Sequence, residues 1–311
     1  RGNNQAGGGG SREGSRLRVV YAAALRPEGG VAKNVRLLHD PIHGVSSGLP
    51  SRILGRDVAT IRGEINPSFG GVNPEPIPDN LGASMAAMKG DYDLAICNDG
   101  DADRLGILDE KGAFVSPQKI IALLALYLVR EKKLTGEIVK TFSTSRLVEK
   151  VARALGSGFH ETAIGFKYVA DLMLTRDILI GGEESGGIGF GHFLPERDGI
   201  LSGLLVAECI GHYRKPLSEI VDAMESEFGA LYYDRRDLNR PMDVCARLID
   251  RVKAGELDAA FGLGFAKRAE QDGVKRNVDE KSWIHFRNSG TGQSTRLHGA
   301  LPDAATGRSG P

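Results

Sequence analysis

The sequence predicts an α/β protein: two consecutive α/β/α domains with mixed, mostly parallel sheets, followed by a smaller α+β domain. Three observations carry this expectation. From Leu17 onward, short β-like runs alternate with longer helical ones, the pattern of βαβ units. The alternation fills two successive blocks, and beyond about residue 228 it gives way to short apolar clusters among polar residues. A chain of 311 residues with 41% hydrophobic composition is long enough to bury several cores.

Residues 1–16, RGNNQAGGGGSREGSR, have no apolar period and are expected to be a flexible tail. The first residue is Arg1 rather than Met, which suggests a truncated reading frame. Residues 17–115 form the first expected domain. In it VRLLHD (35–40) reads as a strand, PIHGVSSG as a loop, LPSRILGRD as a helix and DYDLAIC (91–97) as a second strand.

Residues 116–227 form the second. Ser116 before Pro117 reads as an N-cap followed by proline at the first helical position, opening a helix over 118–132. Strand EIVKTF (137–142), helix TSRLVEKVARALG, a short strand near FHET, helix FKYVADLMLTR, strand DILIGG (177–182) and a helix over 199–213 follow in turn. The glycine-rich stretch GGEESGGIGFGHFLPERDG (181–199) is expected to be a long loop, either one with a function or one with slack. In the third domain, 228–311, a helix is expected near 243–253, with short strands around Val274, Trp283, Ile284 and Phe286. No internal repeat is visible.

Basic and acidic residues balance at 40 each, which gives no field for nucleic acid and no acidic tail. Cys97, Cys209 and Cys245 lie far apart in apolar stretches, so no disulfide framework is expected and a cytoplasmic location is. The longest apolar run, IIALLALYLV (120–129), is about half of a bilayer span and reads as a core helix, so no membrane partner is expected.

The stretch AICNDGDADR (95–104) places Asp99, Asp101 and Asp103 on a loop leaving the carboxyl end of a strand, where open α/β sheets bind ligands. Carboxylates two residues apart on a turning loop can converge on a hard cation such as Mg²⁺. Three other readings compete. An EF-hand would use Asp99, Asp101, Asp103 and Glu110, but Arg104 stands where that loop needs glycine. An aspartyl-phosphate phosphatase would use Asp99 as nucleophile and Asp101 as acid, leaving Asp103 and Arg104 without roles. A solvated acidic turn is the third. A Mg²⁺ loop with Arg104 beside it is favoured, because cation and arginine together neutralise a transferring phosphoryl group.

NDGDADR resembles the metal loop of the α-D-phosphohexomutases, the phosphoglucomutase/phosphomannomutase enzymes. GGEESGG (181–187) resembles that family's sugar-recognition loop, ETAIGFK (161–167) the segment before it, and PERDG (195–199) and DPIHGVSSG (40–48) also fit. The resemblance covers about residues 35–298. It implies that Asp99, Asp101 and Asp103 ligate Mg²⁺, that Arg104 supports the phosphoryl group, and that Glu183 and Ser185 grip sugar hydroxyls. It further implies a backbone contact from Gly165 and a substrate-phosphate contact from Arg197.

RNSGT (287–291) with Arg296 resembles the family's phosphate loop, assigning phosphate contacts to Arg287, Ser289, Gly290, Thr291 and Arg296. There Gly292 and Gln293 replace the family's Glu and Pro. His43 and His192 lie near matched motifs without a partner at metal spacing.

The implied reaction moves phosphate between the C1 and C6 oxygens of a hexose phosphate through a phosphoserine and a bisphosphate intermediate. That serine lies in a Thr-Ala-Ser-His-Asn-Pro type stretch of a first domain, and none of the 311 residues forms one; Ser11, Ser15, Ser46 and Ser47 do not fit. The expectation is therefore a mutase chain without its phosphoserine domain and with little turnover alone. Its expected partners are a hexose phosphate and the missing N-terminal domain, whether truncated or genuinely lost. A noncatalytic sugar-phosphate binder is the alternative, and a phosphatase the third option. Double glutamate followed by Ser-Gly-Gly resembles glucose-type or dual-specificity members more than the glucosamine branch.

Overall fold

The computed structural model of the protein describes residues 20–21, 34–230, 232–256, 267–269, 273–277, 283–288 and 294–301. They are organised by three five-stranded sheets. The first contains β1 (Leu37–Asp40), β2 (Ala59–Thr60), β3 (Leu94–Asn98), β4 (Leu105–Leu108) and β5 (Phe114–Val115), with α1 (Leu49–Leu54) and α2 (Gly82–Met88) in the crossovers. β2 and β3 flank β1 in parallel, and β4 and β5 continue the sheet antiparallel, giving the order β2-β1-β3-β4-β5. All residues of β1, β3 and β4 are buried, as strands covered on both faces are.

The second unit opens with α3 (Pro117–Arg130). It continues through β6 (Glu137–Thr141), α4 (Arg146–Ala154), β7 (Phe159–Thr162), α5 (Phe166–Thr175), β8 (Ile178–Gly182), β9 (Ile188–Phe190) and β10 (Leu194–Arg197), then α6 (Gly199–Tyr213) and α7 (Leu217–Phe228). β7 and β8 are parallel to β6, while β9 and β10 are antiparallel, giving β10-β9-β8-β6-β7. Taken from the opposite edge, this is the topology of the first sheet, with β6 to β10 standing for β1 to β5. The loop after β3 and the loop after β8 are therefore equivalent hairpin connections, a repeat of structure that the sequence conceals.

The third sheet is antiparallel throughout: β11 (Tyr232–Asn239), β12 (Lys267–Ala269), β13 (Val274–Asn277), β14 (Trp283–Asn288) and β15 (Ser294–Leu301), in the order β11-β15-β14-β13-β12. Helix α8 (Met242–Ala254) packs on it through Ile249 and Val252 against Val274 and Phe286.

Helix α3 explains how the first two units share a core. Residues Ile120 to Leu128 are all buried, and the helix touches β4 of one sheet and β8 of the other as well as α4, α6 and α7. Apolar residues on every face make this an interior helix. Helix α6 likewise touches β3, β4 and β9. Between α3 and α6, Glu208 is buried but paired, accepting from Lys132 Nζ at 2.8 Å and Tyr127 Oη at 2.7 Å. Among the described residues, no helix is long and apolar enough to cross a membrane.

The expected helices over 118–132 and 199–213 and the strands at 91–97, 137–142 and 177–182 lie where the alternation placed them, to within a few residues. The long loop over 181–199 does not exist as such: the end of β8 and the strands β9 and β10 divide it, and only residues 183–187 turn between β8 and β9. Glycine disguised β9, whose ladder to β8 pairs Gly181 with Gly189 and Gly182 with Ile188. Helix α7 was missed although Leu217, Ile220, Val221 and Met224 follow helical spacing and are buried. The Ser116 side chain makes no cap bond, but Pro117 does open α3. The tail over 1–16 lies outside the described residues.

Candidate active site between the two α/β units

The acidic triplet lies on the tight connection between β3 and β4, whose ladder closes at Asn98–Leu105. Asp99 is 1% exposed and is committed to the loop: it accepts from the Arg104 backbone N–H at 3.0 Å and from Arg104 Nε at 2.5 Å. Asp101 is exposed and Asp103 half-buried, and the carboxylate oxygens of Asp99, Asp101 and Asp103 lie within 4.8 Å of one another. Burial, and then the charges of Asp99 and Asp101, push the Asp103 carboxyl up to about 6, although Arg197 pulls it down. Three crowded carboxylates fit a hard cation, which would relieve their repulsion. An EF-hand does not fit, since β4 follows the loop at once and Glu110 accepts from the Ser218 backbone N–H at 3.2 Å and from its hydroxyl.

The loop is braced from behind. Asn98 donates through Nδ2 to the Arg104 carbonyl at 3.1 Å, and its Oδ1 lies 3.2 Å from Nε2 of the fully buried His39. Burial depresses His39 to about 4, so the ring is neutral and Nε2–H is the donor. Ala102 takes the left-handed conformation, φ 69°, costly for a residue with a side chain and common at functional loops. Arg104 Nη1 also lies 3.7 Å from Glu75, which pairs with Arg235 of β11 at 3.1 Å.

The equivalent connection in the second unit, 183–187, meets this loop backbone to backbone. Leu105 N–H donates to the Gly186 carbonyl at 3.0 Å, and Arg104 and Gly187 form an antiparallel bridge. Gly186 has φ +97°, and a Cβ there would lie 2.3 Å from the Leu105 carbonyl oxygen, so only glycine permits the approach. Glu183 is buried and accepts from the Gly165 N–H at 3.1 Å, which joins two expected sugar-site positions. Burial, then the charge of Glu184, raise its carboxyl to about 7. Ser185 is half-buried on the turn. Glu184 faces away, accepting from the Ser143 hydroxyl and from Thr141 Oγ1 at 3.4 Å.

Arg197, at the end of β10, stands between the two loops. Its Nη2 is 2.6 Å from Asp103 Oδ2, its Nη1 3.7 Å from Glu183 Oε2, and its guanidinium carbon 5.6 Å from the centre of the Phe166 ring. The residues after it start α6: Asp198 caps the helix by accepting from Leu201 N–H at 2.8 Å, and Gly199 N–H donates to the Ala102 carbonyl at 3.1 Å.

Asp99, Asp101, Asp103, Arg104, Gly165, Glu183 and Arg197 are thus gathered on two adjoining hairpin loops and the elements beside them. Arg287 and Arg296 face one another as a register pair of β14 and β15 in the C-terminal sheet. Ser289, Gly290 and Thr291 lie outside the described residues. Sequence reading missed Asn98, His39, Glu75 and Gly199. Asn98 and Gly199 lie within quoted motifs and His39 beside one, but nothing in the letters singled out Glu75.

Family models for the phosphoglucomutase/phosphomannomutase α/β/α domains match this chain, domain II over residues 18–112 and domain III over 116–228. A Methanothermobacter thermautotrophicus protein named "Probable phosphoglucosamine mutase" is 31% identical over 285 residues, 90% of this chain and 60% of the relative. The phosphoglucomutase/phosphomannomutase of Thermococcus kodakarensis is 32% identical over 247 residues, 79% of this chain and 52% of the relative. The crystal structure of a candidate phosphomannomutase of Thermus thermophilus superposes with a TM-score of 0.80 at 33% identity, covering 95% of this chain and 63% of that one. At 17% identity, the N-acetylphosphoglucosamine mutase of Aspergillus fumigatus in complex with GlcNAc-6P and magnesium shares the fold, with a TM-score of 0.59 over 94% of this chain and 67% of that one. The fold is that of the phosphohexomutases. The chain belongs to the phosphoglucomutase/phosphomannomutase family, and it spans between about half and 60% of the length of the two curated relatives named here.

Proposed function

We propose that this chain supplies the metal-binding and sugar-binding portion of a phosphohexomutase, an isomerase that moves phosphate between the C1 and C6 oxygens of a hexose phosphate. The observation that carries the proposal is the position of Arg197, which reaches Asp103 of the acidic loop and lies beside Glu183 of the sugar loop. A cation site and a hydroxyl acceptor on either side of one guanidinium suit a phosphorylated sugar, whose phosphate and ring are held together. Asp99, Asp101 and Asp103 would hold Mg²⁺, which when bound supplies positive charge to a transferring phosphoryl group.

Each residue then has a task. Arg104, oriented by Asp99 and Glu75, faces developing phosphoryl charge with a fixed fork of donors. Glu183 accepts from sugar hydroxyls, and Ser185 can both donate and accept. Gly165 keeps the Glu183 carboxylate in place. Arg197 binds the substrate phosphate, and a second phosphate contact, so that either end of the hexose can be held, is the task assigned by the resemblance to Arg287, Ser289, Gly290, Thr291 and Arg296, of which Ser289, Gly290 and Thr291 lie outside the described residues.

The substrate is a hexose or hexosamine phosphate. Since Glu184 is held by Ser143 and Thr141, the paired glutamates carry no information on the hydroxyl pattern, and the names of the relatives divide between glucosamine and glucose or mannose phosphates. No Thr-Ala-Ser-His-Asn-Pro type stretch occurs in the chain. A noncatalytic binder of sugar phosphate, using the same Glu183 and Arg197 pair, is the second reading.

The test is conversion of glucose 1-phosphate and glucosamine 1-phosphate, each with Mg²⁺ and a trace of the matching 1,6-bisphosphate. The chain is assayed alone and with a polypeptide carrying the phosphoserine segment. Isomer formation only in the complemented mixture supports the mutase. Sugar-phosphate binding without isomer supports the binder, and release of inorganic phosphate contradicts both.

A further inference from the structure

The start of α6 makes three contacts through three consecutive residues. Arg197 pairs with Asp103, the Asp198 N–H donates to the Ile188 carbonyl of β9 at 2.9 Å, and the Gly199 N–H donates to the Ala102 carbonyl at 3.1 Å. Gly199 leaves no room: a Cβ there would lie 2.5 Å from the Arg104 carbonyl oxygen, 2.6 Å from Asn98 Nδ2 and 2.9 Å from the Ala102 carbonyl oxygen. The same Arg104 carbonyl accepts from Asn98 Nδ2.

We propose that Gly199 and Asn98 are positioning residues that clamp the Ala102 and Arg104 carbonyls and so set where Asp103 stands relative to Asp99 and Arg197. The chain direction explains why this clamp matters. Asp103 lies between the two held carbonyls, so displacing either one moves its carboxylate. Asp99 follows β3 directly, and Asp101 precedes both held carbonyls. Neither Gly199 nor Asn98 is among the residues assigned to the cation or the sugar. They act through the loop they hold.

The helix supplies its own control. One turn further along α6, Gly203 is just as tightly packed, a Cβ there lying 2.6 Å from Ile96 Cγ2, but its neighbour is a core side chain of β3 and not the loop. Gly203→Ala strains the packing of the same helix without touching the clamp.

The inference rests on the reading of the acidic triplet as a Mg²⁺ loop, and the experiment separates the two. Mg²⁺ alone is titrated calorimetrically into the full chain and into G199A, G203A and N98A, with folding checked by far-UV circular dichroism. The expected result is Mg²⁺ binding by the unmodified chain and a dissociation constant raised about tenfold or more in G199A. N98A, which removes a donor without adding an atom, shows a smaller rise. G203A stays within twofold while its melting temperature falls. If G199A does not fold, N98A against G203A decides. Unchanged Mg²⁺ affinity in folded G199A and N98A, or an equal loss in G203A, overturns the inference alone. No binding by the unmodified chain overturns it together with the metal reading.

Discussion

Lys275 of β13 donates from Nζ to the Phe142 carbonyl at 2.7 Å, tying the C-terminal sheet to the loop after β6. The amine lies 4.5 Å from the centre of the Phe142 ring and 4.3 Å from that of Trp283. Burial, and then the charges of Lys140 and Arg146, push it down to about 7, against the opposing pull of Glu161 and Glu149. Below about 7 the amine is protonated in both folded and unfolded chains, so it adds no pH dependence there. Above 7 the unfolded chain holds one more proton than the folded one, until the usual lysine range near 10.5 is passed. Stability should therefore rise with pH across that window. Melting curves at pH 6, 8 and 9.5 check this, and Lys275→Met should flatten the rise.

Gly186→Ala should cost more than Gly71→Ala, although both glycines have positive φ, +97° and +77°. At Gly71 nothing lies within 4 Å of an added Cβ, so the loss is the conformational cost of roughly 1–2 kcal/mol. At Gly186 the Leu105 carbonyl stands in the way, and the backbone contact between the two hairpin loops must open. Urea unfolding measures the difference, and a weaker hexose phosphate affinity should accompany it.

Asp101 and Asp99 should separate metal binding from stability. Asp101 is exposed, so Asp101→Asn should leave the melting temperature unchanged while weakening Mg²⁺ binding about tenfold or more. Asp99 is buried and accepts two hydrogen bonds from Arg104, so Asp99→Ala should also cost about 1–3 kcal/mol of folding free energy. Calorimetry beside thermal melts reads both.

Leu124 is fully buried in α3, within a core that reaches both α/β sheets. Leu124→Ala should destabilise by about 2–5 kcal/mol and lower the unfolding of both units together. Two separate transitions, only one of them shifted, would contradict a shared core.

Much of this was legible in the sequence, for physical reasons that differ by element. Much of the alternation of strands and helices from residue 35 to 213 reads directly, because strands such as β3 and β8 are apolar and a helix such as α4 buries its apolar residues at helical spacing. The acidic triplet and the Glu183 turn stand out because their chemistry is unusual for a folded core. What stayed hidden depends on register. Nothing in the letters shows that β6 to β10 repeat β1 to β5, because different residues satisfy the same ladder. Gly186 and Gly199 read as slack, whereas each is small because a backbone from another element passes close by. Asn98, His39 and Glu75 act across distances in sequence that only the fold closes, and Glu184, read with Glu183 as a pair, turns to the opposite side.

The account depends on the acidic loop and the sugar loop being one site joined through Arg197, and linked binding tests this most directly. Glucose 1-phosphate and glucosamine 1-phosphate are titrated into the chain with and without saturating Mg²⁺, and Mg²⁺ is titrated with and without the sugar phosphate that binds. A cation neutralising Asp99, Asp101 and Asp103 removes their repulsion of phosphate, so each ligand should tighten the other by the same factor, on the order of tenfold. Binding of the two without mutual effect, or binding of neither, would contradict the account.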